Sequence, residues 1–263
     1  MPLPFEKIVS IPVGPLHIQV WGLMVAMGML VGLWIALKEA KRLHVSKDLI
    51  LDVFLWTVIS SMIGSRLFYA AFAWEEFADD PLRVFRIWEG GMAFYGGFLS
   101  AVLAIFIFLR VKKVSFWKVA DVLAPGLAIG IFLGRIGCYL TGMHIGSVMT
   151  NSWFWGSVFP GDPRLRHEPS LYLSLDGLLI FTLLWALRHR IQKPGQMTML
   201  FLLSYGISRF FLDFFRAADL PGMLSDPRYI FHLTAAQLLS IAMAIIGSIG
   251  VFKPEFFTRT KKA

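Results

Sequence analysis

One cysteine, Cys138, occurs among the 263 residues. An intrachain disulfide is therefore excluded, and so is any metal site built on cysteines. Charge is nearly as scarce, at 16% of the chain against about 25% in a soluble domain. With 57% hydrophobic residues and a mean hydropathy of +0.66, that shortage implies a polytopic membrane protein. The formal charge of +8 does not point to nucleic acid, because lysine and arginine gather in the loops on one side of a membrane protein. No nucleic-acid partner is expected. The amino-terminal stretch lacks the charged, apolar and small-residue succession of a cleavable signal peptide, so none is expected. Repeats, low-complexity tracts and a soluble domain are missing too. His144 and His167 stand apart without further ligands, so they read as surface histidines and no metal is expected.

What is present is a series of long apolar runs. Seven segments near the ~20 residues needed to cross a bilayer fall at 17–37, 49–72, 92–111, 116–141, 170–188, 196–215 and 230–252. The expected fold is all-α, a single transmembrane domain over 1–263 with seven spanning helices. Residues 1–16, rich in proline, read as an irregular cap on the membrane surface. Lys38, Lys41, Arg42 and Lys47 follow the first span, and Arg110, Lys112, Lys113 and Lys118 the third. Arg188, Arg190 and Lys193 follow the fifth, and Lys253, Arg259, Lys261 and Lys262 the last. The alternate loops hold acids and a few arginines but no lysine. This bias predicts the amino terminus outside and the carboxyl terminus inside. The loop 143–168, with Trp153, Trp155 and several glycines, is then a small extracytoplasmic head between helices four and five.

The stretch Asp121-Val-Leu-Ala-Pro-Gly-Leu-Ala-Ile-Gly-Ile-Phe-Leu-Gly-Arg135-Ile-Gly-Cys-Tyr-Leu-Thr-Gly142 is apolar enough to span, yet carries Arg135 in its second half. Gly126, Gly130 and Gly134 recur every four residues, which makes a flat face that another helix or a lipid can approach. A cation facing hydrocarbon costs roughly 2.5–3.5 kcal/mol, so an intramembrane arginine is a functional candidate. The predicted topology puts Arg66, Arg135, Arg209, Asp213 and Arg216 in one half of the membrane. Arg209, Asp213 and Arg216 share a helical face by their spacing. One reading is an ion-paired helix end with arginines reaching for headgroups. The other is a pocket for an anion, since arginine matches phosphate bidentately. Trp21 and Tyr95 fall at the same level, as interfacial aromatics or as part of that pocket.

Asp121 to Gly130, continuing as Gly134-Arg-Ile-Gly137, resembles the signature of the bacterial prolipoprotein diacylglyceryl transferases. Gly90-Gly-Met-Ala-Phe-Tyr-Gly-Gly97 is similar to that family's third-span glycine motif, and Ser204-Tyr-Gly-Ile-Ser-Arg-Phe-Phe-Leu-Asp-Phe-Phe-Arg216 to its Arg-x3-acid-x2-Arg motif. Trp155 to Pro160 and Thr234 to Ser240 also match in order and spacing. The resemblance implies an enzyme of the cytoplasmic (inner) membrane, with its active site facing the outer leaflet. It would move the diacylglyceryl group of phosphatidylglycerol to the lipobox cysteine of an exported prolipoprotein, releasing glycerol 1-phosphate, without a cofactor. On that resemblance Arg135, Arg209 and Tyr95 are catalytic. Arg135 and Arg209 hold the phosphate, Asp213 and Arg216 orient Arg209, and Arg66, Trp21, Gly137 and Gly146 complete the substrate site. Tyr95 and His144 are candidates, by position only, to accept the thiol proton.

Several positions depart from the family pattern. Cys138 replaces an asparagine, Met143 a glutamate and Trp21 a tyrosine, and His167-Glu-Pro-Ser-Leu-Tyr-Leu-Ser174 lacks a glutamine and a glutamate in register. The alternative reading is a divergent paralogue that binds anionic phospholipid or uses another acceptor.

Overall fold

The structure, a computed structural model, describes residues 7–14, 16–150, 155–159, 162–217 and 230–253. Its α-helices are α1 (Val20–Arg42), α2 (Lys47–Phe72), α3 (Phe94–Val111), α4 (Phe116–Thr141), α5 (Pro169–Leu187), α6 (Gln196–Leu212) and α7 (Ala235–Phe252). A 3-10 turn over Asp213–Phe215 prolongs α6. All seven helical segments are long and apolar enough to cross a membrane, so the chain is a multi-pass membrane protein. Large apolar side chains such as Leu30, Leu67, Leu103 and Ile245 stand exposed along them, as a lipid-facing surface requires.

Two boundaries differ from expectation by about five residues, the others by less. α1 runs on to Arg42, through Lys38, Glu39 and Lys41, beyond the predicted end at 37. Arg42 pairs with the nearly buried Glu39 at 2.7 Å, and basic residues suit the carboxyl end of a helix dipole. Hydropathy sees the loss of apolar residues there, whereas the backbone ladder continues. α7 starts only at Ala235, because Thr234 caps it. The Thr234 hydroxyl accepts from the Gln237 amide while the Gln237 side chain accepts from the Thr234 amide, a capping box that sets the first turn.

The expected irregular cap is instead a β-hairpin over its described residues. β1 (Ser10–Val13) pairs antiparallel with β2 (Leu16–Gln19), Ser10 opposite Gln19. Its turn uses Gly14 at φ 60, and the Ile8 amide bonds the Leu140 carbonyl at 2.9 Å, so the segment is tied to the end of α4. Pairing satisfies backbone groups that an irregular segment would leave open at an apolar surface.

The chain divides into two compact units, Leu37–Val119 and the combination of Met1–Ala36 with Ala120–Ala263. In the first, α2 and α3 pack at glycine contacts. A Cβ on Gly97 would lie 3.0 Å from the Ser61 carbonyl, and one on Gly64 would collide with Ser100. In the second, Gly32 of α1 meets Gly126 of α4, where a Cβ on Gly126 would come within 2.5 Å of the Gly32 carbonyl. Gly28 approaches Gly130 one turn away, so two of the three glycines spaced by four serve helix contact. Gly134 has open space beside it. A buried core of Ala124, Ala128, Ile180, Leu184, Met197 and Phe201 joins α4, α5 and α6. Asp121 accepts from the Gly195 and Thr198 amides at 2.6 and 2.8 Å, which satisfies donors at the start of α6.

Candidate functional site

α4 ends in a Schellman arrangement. Gly142 takes φ 63, its amide bonds the Tyr139 carbonyl at 3.1 Å, and the Met143 amide bonds the Cys138 carbonyl at 3.1 Å. The chain then reverses into residues 145–149, which run between two partners. On one side the Ser147 amide bonds the Phe215 carbonyl at 2.9 Å and the Ala217 amide the Ile145 carbonyl at 3.1 Å. On the other side the His167 amide bonds the Ser147 carbonyl, and Val148 bridges Arg166. β3 (Gly156–Val158) and β4 (Leu165–His167) complete this small antiparallel platform. Gly146 is required in its middle, since a Cβ there would collide with the His167 carbonyl. Fully buried Arg166 locks the platform, giving Nη1 to the Gly146 carbonyl at 2.9 Å and Nε to Asp162 at 2.6 Å. Arg164 first, then Arg166, hold the Asp162 carboxyl well below the usual carboxylate range. The strand 145–149 follows directly on His144, and its Gly146 bridges Arg216, so both residues stand at the same end of the platform.

Arg209, Asp213 and Arg216 come together as their spacing predicts. Arg209 Nη2 lies 2.9 Å from Asp213 Oδ1, and Arg216 Nη1 lies 3.8 Å from the same oxygen. Asp213 Oδ2 accepts from the Thr234 hydroxyl at 2.5 Å, which places the carboxylate at the amino end of α7, where the helix dipole favours an anion. Asp213 and Arg209 are both buried. Arg209 is only 8% exposed, yet its Nη1 has no hydrogen-bond partner among the described residues. A buried guanidinium donor without an acceptor is costly, and an anion would satisfy it. Arg135 is half-buried on α4 and acts electrostatically on both Arg209 and His144. Three arginines from α4 and the end of α6 thus converge on one region.

His144 belongs to this cluster and is not a surface histidine. Its Nδ1 lies 3.4 Å from Arg216 Nη2. Burial first, then Arg216, Arg135 and Arg209, push its pKa down to about 3, so the ring is neutral at pH 7. His167 is also half-buried, with its ring 4.8 Å from Phe215 and Nδ1 2.9 Å from the Tyr172 hydroxyl, and burial lowers its pKa. Among the described residues no group of three histidine, cysteine or acidic side chains could hold a metal.

Gly137 packs against Met24 and Trp21, where a Cβ would come within 2.8 Å of the Met24 side chain. Trp21 is partly exposed at the start of α1. Cys138 is buried, and Met143 is exposed. In the unit of α2 and α3, Tyr95 stands half-exposed at the start of α3.

Arg66, expected to bind substrate, is otherwise occupied. All five of its guanidinium N–H donors go to backbone carbonyls: Val84 at 2.9 Å, Arg83 at 2.6 Å, Arg86 at 3.1 Å, Gly91 at 3.0 Å, and Gly90. Its guanidinium also lies over Phe77 at 5.0 Å. The irregular turns over 73–91 leave carbonyls without helix partners, and one buried arginine collects them. No donor remains for a ligand.

Two buried acids escaped the sequence reading. Asp176 accepts from Ser208 at 2.8 Å and acts electrostatically on Arg209 from α5. It is the only charged residue within α5, an intramembrane charge like Arg135. Glu168 sits at the amino end of α5, fully buried, with Ser157 beside its carboxylate. Burial raises its pKa to about 7, against a smaller opposing effect of Ser157. A raised acid pKa means that the unfolded chain ionises first as pH rises. Stability is therefore lost between the model-peptide value of 4.5 and about 7, and stays lowered above that. Glu168→Gln should stabilise the protein at pH 8 by on the order of 3 kcal/mol, and by little at pH 4.5. Thermal unfolding in detergent at the two pH values measures the difference.

Between α6 and α7 runs an apolar groove of about 460 Å³, lined by Leu203, Gly206, Ile207, Phe210, Ala244 and Ile245 among others. It borders the helix that carries Arg209.

Fold and site together define a multi-pass membrane protein with an arginine cluster lodged among its helix ends. The sequence matches the family described as prolipoprotein diacylglyceryl transferase over residues 7–253. It is 36% identical over 242 residues to the phosphatidylglycerol--prolipoprotein diacylglyceryl transferase of Pseudoalteromonas atlantica, covering 91% of this chain and 85% of that one. To the enzymes of the same name from Chromohalobacter salexigens and Bacillus cytotoxicus it is 34% and 32% identical, over 91% and 92% of this chain and 89% of each relative. The chain belongs to the prolipoprotein diacylglyceryl transferase family.

Proposed function

We propose that this protein transfers the diacylglyceryl group of phosphatidylglycerol to the lipobox cysteine thiol of exported prolipoproteins, releasing glycerol 1-phosphate. The observation that carries the reading is the buried, unsatisfied Nη1 of Arg209 within the cluster of Arg135, Arg209 and Arg216. The reaction breaks a carbon–oxygen bond to a phosphate, so negative charge grows on that oxygen as the thiolate attacks carbon. Cations fixed in advance stabilise this charge most effectively where water is excluded. Arg135 and Arg209 are the phosphate ligands in this scheme. Asp213 sets the guanidinium of Arg209, and the platform sets Arg216. Trp21, Gly137 and Gly146 shape the surroundings, while Tyr95 is a further catalytic candidate. The groove between α6 and α7 suits one acyl chain of the lipid, whose headgroup then lies toward Arg209.

The same reading treats the chain as one transferase domain in the cytoplasmic membrane. Its amino terminus lies outside and the site faces the outer leaflet, where the exported substrate arrives. The lysine-free loops on that side support this orientation.

Purified protein in phosphatidylglycerol vesicles should convert a lipobox peptide to its diacylglyceryl thioether, with one glycerol 1-phosphate per product. Mass spectrometry of the peptide and an assay of the released phosphate read the two products. Retention of phosphatidylglycerol without any thioether would refute transfer and favour the lipid-binding paralogue.

A further inference from the structure

Met143 stands where the family resemblance places a glutamate, and it has no titratable atom. The next residue does. His144 is carried there by the Schellman turn at Gly142 and held by the platform strand that follows. Its Nδ1 faces Arg216 Nη2 at 3.4 Å. Arginine keeps its protons at any working pH, so the ring accepts at Nδ1 and carries its own hydrogen on Nε2. The charged groups facing it are Arg216 and Arg209 from the end of α6 and Arg135 from α4, with Asp213 paired to the first two. Asp176 of α5 stands behind Arg209.

Those cations oppose protonation of the imidazole as long as no anion lies among them. A phosphodiester entering the cluster offsets them and gives the guanidinium of Arg216 a better acceptor than an imidazole nitrogen. Nδ1 is then released in a region whose net charge has fallen. The other groups are less suited. Glu168 has both carboxylate oxygens buried, and a neutral phenol such as that of Tyr95 has no basic nitrogen.

We propose that His144 is the proton acceptor for the incoming thiol, brought into action by the phosphate of the bound lipid. The proposal rests on the transfer reading above. The thiol proton passes to Nδ1. The sulfur electron pair forms a bond to the glyceryl carbon that bears the phosphate ester, and the carbon–oxygen bond breaks with its pair remaining on the phosphate. Glycerol phosphate leaves, and the proton of the imidazolium returns to it or to water. Lipid must therefore bind before thiol.

The size of the effect follows from the thiol. With a pKa near 8.5, about 3% is already thiolate at pH 7, so a base can gain at most about 30-fold there. His144→Gln should lower the transfer rate about 10- to 30-fold at pH 7 in phosphatidylglycerol vesicles, and the deficit should close by about pH 9. With an acceptor peptide whose thiol pKa is brought below 7, the variant should match the unaltered enzyme, which a misfolded variant could not do. Equal rates at pH 7, a deficit that persists at pH 9, or a deficit with the acidic thiol would each overturn the proposal while leaving transfer intact. Absence of thioether from the unaltered enzyme would instead overturn the transfer reading, and this proposal with it.

Discussion

Arg135→Ala should lower the rate of thioether formation by about 10²- to 10³-fold at saturating phosphatidylglycerol, the usual cost of removing one fixed charge-stabilising donor. Folding should be almost unaffected. Arg135 is half-buried and has no hydrogen-bond or ion-pair partner among the described residues, so its removal leaves no other group unsatisfied. The glycine contacts of α4 with α1 fall one and two turns earlier, at Gly130 and Gly126. Arg135→Lys keeps the charge and loses the bidentate fork, so it should retain a few per cent of the rate. If Arg135 holds the phosphate as proposed, the charge it meets grows in the transition state, and the loss should fall on kcat as well as kcat/KM. A change confined to KM would reduce Arg135 to a binding residue. Unchanged turnover would remove it from the site altogether.

Asp213→Asn should destabilise the protein by about 3–5 kcal/mol, the range for breaking a buried ion pair from one side. The carboxylate is fully buried, holds Arg209 at 2.9 Å, and receives the Thr234 hydroxyl at 2.5 Å. Asparagine preserves the shape, but leaves Arg209 charged, buried and facing a neutral amide. The same change loosens the junction between α6 and α7, because Thr234 is also the cap of α7. Thermal unfolding in detergent should show the loss. The double variant Asp213→Asn with Arg209→Met should recover part of it, since removing both charges is cheaper than removing one. Stability equal to the unaltered protein in Asp213→Asn would mean that Arg209 does not depend on its acid. Phosphatidylglycerol should also co-purify less with the single variant, as Arg209 loses the partner that aims it.

Much of this protein is legible along the chain because a bilayer imposes a one-dimensional rule. About 20 apolar residues per crossing, with charges excluded, makes each spanning helix visible without knowledge of its neighbours. Where the rule is weak, at helix ends, the reading drifted. α1 continued through charged residues and α7 waited for its cap, since ends are set by hydrogen bonds and capping. The hairpin of β1 and β2 was hidden for a related reason, as proline-rich sequence obscures four-residue strands.

The charges divide in the same way. Arg209, Asp213 and Arg216 were readable as a group because three and four residues make a turn, a local fact. Arg66 and Arg135 look alike in sequence, each an arginine near glycines in an apolar run. Only folding separates them: five carbonyls surround one, while the other acts on His144 and Arg209. His144 and Glu168 likewise gain their character from burial and from residues brought in from distant segments. The sequence by itself determined a seven-helix membrane protein, its glycine contact face and its family. The tertiary structure alone decided which buried charges find partners among the described residues and which do not. Hydrophobicity is a property of each residue, whereas the satisfaction of a charge belongs to everything packed around it.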